Sequence, residues 1–125
     1  MAQSLVINVL DKQYYDDCHI KGSINIPLDQ LESRAKELDK NQTIIVYCTS
    51  YSCSASRKAW HILNNMGFKD IYAYEGGMAE WYQMGFPIEG PAKKKYLMEP
   101  SLKPSEPEDP EVKDITAVGV LNKMG

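Results

Sequence analysis

Along the chain, short runs of consecutive apolar residues alternate with stretches in which apolar positions recur every three or four residues. The first run, Ser4 to Leu10 (SLVINVL), is rich in β-branched residues and leads into the polar stretch DKQYYDDCH, predicting a buried strand followed by a helical turn. Ile24 and Ile26 share one face of SINIP, which stops at Pro27. In LDQLESRAKELDK, Leu28, Leu31, Ala35 and Leu38 form a narrow apolar stripe on a charged helix. TIIVYC is an apolar strand too short to be a helix. Ala55, Ala59, Ile62, Leu63 and Met66 then repeat at helical spacing as far as Gly67, a natural C-terminal stop. DIYAY predicts another strand, and EGGMAEWYQMG a turn entering a short helix closed by Gly85 and Pro87. This alternation predicts an α/β sandwich, its strands paired in parallel through right-handed crossovers with helices on both faces. Sites in such sheets form beyond the carboxyl ends of the strands, and Cys48 stands at that end of the most apolar one.

From Pro91 the pattern changes. PAKKKYLMEPSLKPSEPEDPE carries five prolines and mixed charge, so it reads as an extended linker with little to anchor a core. Order returns in VKDITAVGVLNKMG, with a strand-like start, Thr116 as N-cap, and Ala117, Val120, Leu121 and Met124 at helical spacing. The expected organisation is a core over residues 1–90, a Pro-rich charged linker over 91–110, and a strand-helix segment over 111–125.

Composition narrows the setting. A chain of 125 residues with 43% hydrophobic content has room for one ordinary domain with a real core. Its net charge of −3 argues against a nucleic-acid partner, and the short basic run Lys93 to Lys95 reads as solvated surface. Three cysteines are an odd number for a disulfide framework and fit a reducing compartment. The first residues carry no basic region before an apolar stretch, and no apolar run is long enough to span a bilayer, so the expectation is a cytoplasmic protein without membrane contact.

The chemistry concentrates in IIVYCTSYSCSASRKAW, which holds Cys48 and Cys53. A structural zinc needs four ligands, usually in tight pairs; these two cysteines have no second pair, and His19 and His61 supply none at a recognisable spacing, so no metal is expected. A dithiol redox pair usually has the spacing C-x-x-C, whereas four residues separate Cys48 and Cys53; a loop that curls brings them together. A third reading needs only Cys48. A strand ends at the thiol, a polar loop follows and a helix begins near Ser54, so successive backbone N–H groups can converge on a thiolate or on an anion attached to it. The helix terminus supplies only about 0.3–1 kcal/mol, so hydrogen bonds at roughly 1.5–3 kcal/mol each must do most of the activation. The remaining reading is a buried thiol acting as a small hydrophobe, against which the polarity of TSYS weighs.

Taken together, VINVLD, HIKGSINIPLDQL, IIVYC with its loop, LNNMGFKDIYAYEGGMAEW and GFPI resemble the rhodanese-type single-domain sulfurtransferases, over Val6 to about Pro87. The family usually reads there L-I-D-V-R, H-I-P-G-A-x-N-I-P, V-x-Y-C-x-x-G-x-R-S and L-x-x-x-G-[FY]-x-x-V-x-x-L-x-G-G-x-x-x-W. The resemblance implies a three-layer sandwich around a mostly parallel five-stranded sheet. It also implies that Cys48 is the nucleophile, taking sulfane sulfur as a persulfide and passing it to a thiophilic acceptor, with no cofactor. The backbone amides of Thr49, Ser50, Tyr51, Ser52, Cys53 and Ser54 would cradle the outer sulfur. Gly76 and Gly77 fit the turn before the last core helix, with Trp81 packing on it, and acceptors would be thiols such as thioredoxin, glutathione or a protein carrier.

The departures are chemical. Cys53 stands where the family's loop commonly has Arg, Tyr51 where it has Gly, Asn8 and Leu10 where the second strand has Asp and Arg, and Cys18 where Gly is common. Loss of that arginine removes a fixed positive charge, so a dianion such as thiosulfate should bind less well than polysulfide or a persulfide. Arg57 and Lys58 either fold back to compensate or are ordinary helix-surface charges, and the expectation for His61 is a helix-surface place and for His19 a structural one. The related phosphatases need C-x5-R, and the residue six after Cys48 is Ser54, which disfavours phosphatase chemistry. A second functional reading is a non-catalytic binding or redox-sensing module using Cys48 and Cys53 as a reversible dithiol.

Such domains normally open with a strand and helix that are missing here, and VKDITAVGVLNKMG resembles that unit. Pro91 to Pro110 is twenty residues. Extended, a segment of that length reaches on the order of 65 Å, far beyond a radius of gyration of roughly 14 Å. The tail is therefore expected to complete the sheet edge as in a circular permutation, in a monomer or swapped into a dimer.

Overall fold

The computed structural model describes residues 4–124; the outermost ends of the expected segments, residues 1–3 and 125, lie outside the described residues. Its elements are β1 (Leu5–Asn8), α1 (Lys12–Asp17), β2 (His19–Ile20), β3 (Ile24–Asn25), α2 (Leu28–Arg34), β4 (Ile44–Tyr47), α3 (Ala55–Asn65), β5 (Ile71–Tyr74), α4 (Gly77–Gln83), β6 (Ile88–Glu89) and α5 (Ala117–Met124). The main sheet is parallel with order β3-β1-β4-β5, while β2 and β6 form a small antiparallel ribbon.

Strand alternation divides the core into two layers. Ile44, Val46 and Cys48 face α2 and α3, joining Leu31, Ala35, Ala59, Trp60 and Leu63. Ile45 and Tyr47 face the opposite way, toward Met78 and Trp81 of α4 and Ala117 and Val120 of α5. Helices therefore cover both faces of a parallel sheet, as the alternation predicts. The stripe in α2 holds, but the α-helix ends at Arg34 and tightens into a 3-10 turn over Ala35–Glu37. α3 runs to Asn65 and is followed by Gly67 at φ +94°, the left-handed turn the sequence predicts.

Two features differ from the sequence reading. Among the described residues the main sheet has four strands, and the fifth position is a single parallel bridge in which Asp114 lies beside Ala73 of β5, with the Ala73 N–H donating to the Lys113 carbonyl at 2.8 Å. The helix beyond that bridge starts at the cap that the sequence does show: Thr116 Oγ1 accepts from the Gly119 N–H at 3.0 Å and opens α5.

The segment after Pro91 is also more than an extended connection. Lys95–Met98 form a 3-10 turn that buries Leu97 in the second layer, and the Gln83 side-chain amide donates to the carbonyls of Leu97 and Glu99 at 2.9 and 2.6 Å. Leu97 and Tyr96 pack in this layer while the Ala92, Lys93 and Lys94 N–H groups donate to Asp17, and together they anchor a segment whose composition is otherwise that of a linker. Among the described residues no helix is long and apolar enough to cross a membrane.

Candidate active site

Cys48 follows β4 directly, at the carboxyl end of the central sheet, and is fully buried. The loop after it turns sharply, with the Cys53 N–H donating to the Ser50 carbonyl at 3.0 Å, and this turn brings Cys53 back over Cys48. The Cys48 thiol lies 3.6 Å from the Cys53 carbonyl oxygen and also interacts with the Cys53 side chain. The curled loop that the four-residue spacing left open is thus the one formed.

The loop is clamped from α4. The Met78 and Ala79 N–H groups donate to the carbonyls of Cys48 and Thr49, both at 2.9 Å. Gly77 makes this approach possible: it sits at φ +70°, and a Cβ there would lie 2.6–2.7 Å from backbone atoms of Cys48, Thr49 and Ser50. Gly77→Ala is therefore expected to destabilise the fold by about 1–3 kcal/mol through backbone strain alone and to displace the loop. A matching fall in sulfur-transfer rate, beyond what the lost stability explains, checks this; unaltered melting and rate would contradict it.

The loop amides are divided among several partners. The Tyr51 N–H donates to Ser101 Oγ at 3.0 Å, and that hydroxyl donates to the Gly76 carbonyl at 2.9 Å, so a residue fifty positions away ties the loop to the turn before α4. The Ser50 and Ser52 hydroxyls bond to each other at 2.9 Å. Backbone groups of Thr49 and Ala55 serve the Cys53 sulfur, and the backbone and hydroxyl of Ser56 serve that of Cys48. Ser56 is fully buried and, among the described residues, its hydroxyl has no partner besides the Cys48 sulfur it lies beside. Of the six loop residues expected around the sulfur, Tyr51 and Cys53 have their N–H groups engaged elsewhere, and Ser54 precedes α3.

The two thiols titrate as a pair that shares a proton. The Cys48 thiol is held well above the ordinary cysteine range, first because it donates to Cys53 and then because burial disfavours its anion. Cys53 is pulled down to about 5, first by that donation from Cys48 and then by the Ala55 and Thr49 groups, against burial. Of the two sulfurs, the half-buried Cys53 is therefore the one on which a thiolate is favoured. Since the thiolate is the reactive form, alkylation of Cys53 by iodoacetamide is expected to stay fast from pH 8 down to about pH 6 and to fall through about pH 5. Residue-resolved mass spectrometry measures it; a rate that falls through about pH 8.5, the ordinary thiol value, would contradict the arrangement.

Arg57 is not a helix-surface charge. It is buried and its guanidinium reaches Glu75 at 3.1 Å and Glu108 at 3.5 Å, so its charge is already met, while Lys58 is exposed. His61 pairs with Asp109 at 2.6 Å and Glu111 at 3.4 Å, holding the tail against α3. His19 stacks on Tyr15 and contacts the Tyr15 carbonyl and Glu89, a structural place. On one side of the loop lies a cleft of about 340 Å³ lined by Tyr51, Glu75, Lys103 and Asp114 among others. On the other, Thr49 shares a cleft of about 410 Å³ with Lys93, Lys94, Lys95, Tyr14 and Tyr96, so the short basic run borders the loop. Gly77 was legible only as a turn residue before α4, and Ser56 and Ser101 had no local signal.

Comparison with known proteins places the fold. Residues 1–84 match the family model described as Rhodanese-like domain. The chain is 33% identical over 76 residues to the putative sulfur carrier protein YrkF of Bacillus subtilis, covering 61% of this chain and 40% of that protein. It is 27% identical over 77 residues to the thiosulfate sulfurtransferase GlpE of Coxiella burnetii, covering 62% of this chain and 70% of that one. A solved structure described as rhodanese with anions from E. coli superposes with TM-score 0.58 at 31% identity, over 70% of this chain and 98% of that one. The chain spans about two fifths of the length of the first curated relatives it matches.

Proposed function

The chain belongs to the rhodanese-like domain family, and from that membership we propose that it accepts sulfane sulfur as a persulfide on Cys48 and passes it to a thiol. The observation that carries the reading is the place of Cys48: at the carboxyl end of the central strand, under a clamped loop, with Cys53 beside it to take its proton. Relatives named as a sulfur carrier and as thiosulfate sulfurtransferases support sulfur transfer as the reaction class.

In the first half-reaction the Cys48 proton passes to the Cys53 thiolate, and the Cys48 sulfur attacks the outer sulfur of a donor R–S–SH. R–S⁻ leaves, and Cys48 carries the extra sulfur. In the second, an acceptor thiolate attacks that outer sulfur and Cys48 departs as thiolate. Cys53 thus acts as the proton acceptor for Cys48.

The donor class follows from charge. Arg57 is occupied by Glu75 and Glu108, so no free guanidinium stands at the loop to fix a dianion. A charge-assisted hydrogen bond of that kind contributes about 1.5–3 kcal/mol. Polysulfide or a low-molecular-weight persulfide is therefore expected to exceed thiosulfate in kcat/KM by about tenfold or more, read from steady-state kinetics with a common acceptor. Thiosulfate as the best donor would overturn the assignment.

The contact between the two thiols favours a second reading, a reversible dithiol in a redox-sensing or binding module. Its signature is a loss of two hydrogens on mild oxidation that needs both cysteines, with no sulfur gain on Cys48 when Cys53→Ser is exposed to polysulfide. The tail is proposed to stand in for the strand-helix unit with which such domains ordinarily open, a reading supported by the bridge between Asp114 and β5.

A further inference from the structure

We propose that Cys53 resolves the Cys48 persulfide within the loop, so that the protein reduces sulfane sulfur and releases it as hydrosulfide. The inference rests on the persulfide reading above and goes beyond it, because it changes the product from a transferred sulfur to a free one.

Three observations carry it. First, the turn from Ser50 to Cys53 folds the loop so that the Cys48 thiol reaches the Cys53 carbonyl oxygen at 3.6 Å and interacts with the Cys53 side chain. Second, Cys48 is fully buried whereas Cys53 is only partly so, and Cys53 is therefore the more accessible sulfur of the pair. Third, the loop carries a second nucleophile, Cys53, and no arginine, and the one arginine of the following helix turn is committed to Glu75 and Glu108.

The step balances without an outside oxidant. Cys53 first gives the proton it took from Cys48 to the departing donor thiolate. The Cys53 thiolate then attacks the inner sulfur of the persulfide, Cys48 Sγ; the bond between that sulfur and the outer one breaks, and the outer sulfur leaves as HS⁻ with its own proton. The outer sulfur is reduced, and the two cysteine sulfurs are oxidised to the Cys48–Cys53 disulfide. A dithiol reductant then exchanges with that disulfide, becomes oxidised itself and restores both thiols. Well-oriented intramolecular attack corresponds to effective concentrations of about 10⁵ M or more, which no dissolved thiol approaches. Unless an acceptor protein displaces the loop, resolution outruns transfer.

The same geometry assigns the partial burial of Cys53 a purpose. The disulfide left behind has one sulfur, that of Cys53, accessible to an incoming reductant.

The test exposes the full chain, anaerobically, to one equivalent of cysteine persulfide. That donor leaves as cysteine thiol, so hydrosulfide above the level seen with Cys48→Ala comes from the second step. The expected result is close to one hydrosulfide per chain, an intact mass two hydrogens below the reduced protein, loss of two free thiols, and their recovery with dithiothreitol. Cys53→Ser is expected to load more slowly, to keep one extra sulfur, and to release hydrosulfide only after a thiol is added. A wild-type chain that keeps the extra sulfur on either cysteine as stably as Cys53→Ser overturns the inference and leaves the persulfide reading standing. Absence of any sulfur gain in Cys53→Ser sinks the persulfide reading and the inference with it. Circular dichroism of each variant establishes that it is folded before it is read.

Discussion

Replacing Cys48 by serine is expected to lower sulfur transfer by on the order of 10³-fold or more, to the level of the reaction without enzyme. The sulfur of Cys48 is the proposed attacking atom, and a hydroxyl in its place is neither ionised nor thiophilic. Cys53 cannot take over at full rate, although it is the thiol ionised at rest. Its charge is stabilised by the proton of Cys48 before any other contact, and a serine at position 48 offers a different donor at a different distance. The fold should survive, because the substituted side chain is nearly isosteric and Ser56 and the Cys53 carbonyl remain as partners for a hydroxyl. Transfer kinetics and thermal melting on the same sample check the two halves of the expectation. Retention of more than about a tenth of the wild-type rate would place the chemistry elsewhere.

Truncation after Gly90 should produce the largest loss of stability. It removes Leu97, Val112, Ala117 and Val120, all buried, and uncovers the face of the sheet that carries Tyr72 and Tyr74. Burial of a valine or leucine contributes about 1.5–3 kcal/mol, so the three larger residues together account for roughly 5–9 kcal/mol. Domains of this size are stable by about 5–15 kcal/mol in total. The truncated chain is therefore expected to unfold at room temperature or to melt tens of degrees lower. It also loses Ser101, which ties Tyr51 to Gly76, and Glu108, which meets Arg57. An unchanged melting temperature would show that the tail neither completes the sheet nor braces the loop.

The fold was legible because its strands are short apolar runs and its helices carry stripes of matching period. TIIVYC could be nothing but a buried central strand, and Ala59, Leu63 and the residues around them could cover only one face of it. The ribbon of β2 and β6 was not legible: two residues on each side give no periodicity, and His19 meets Glu89 across seventy positions. The burial of Leu97 was hidden by the prolines and charges around it, since composition averages over a window in which one side chain makes the contact.

The site divides in the same way. Cys48, the polar loop and the helix start could be read from local order, as could the absence of a loop arginine. The partners of that loop could not, because they come from elsewhere in the chain: Gly77 from the turn before α4, Ser101 from the tail, and Glu75 and Glu108 flanking Arg57. A charged residue one turn into a helix has no local feature that separates a solvated side chain from a buried ion pair. Only the arrival of β5 and the tail decides it.

Tandem mass spectrometry of Cys53→Ser after anaerobic exposure to polysulfide tests the central claim most directly. Fragment ions across the stretch from Tyr47 to Ser54 locate any added sulfur to one residue. A single extra sulfur is expected on Cys48 in that variant and none in Cys48→Ser. Sulfur gained by Cys48→Ser on Cys53, with none gained by Cys53→Ser, would contradict it.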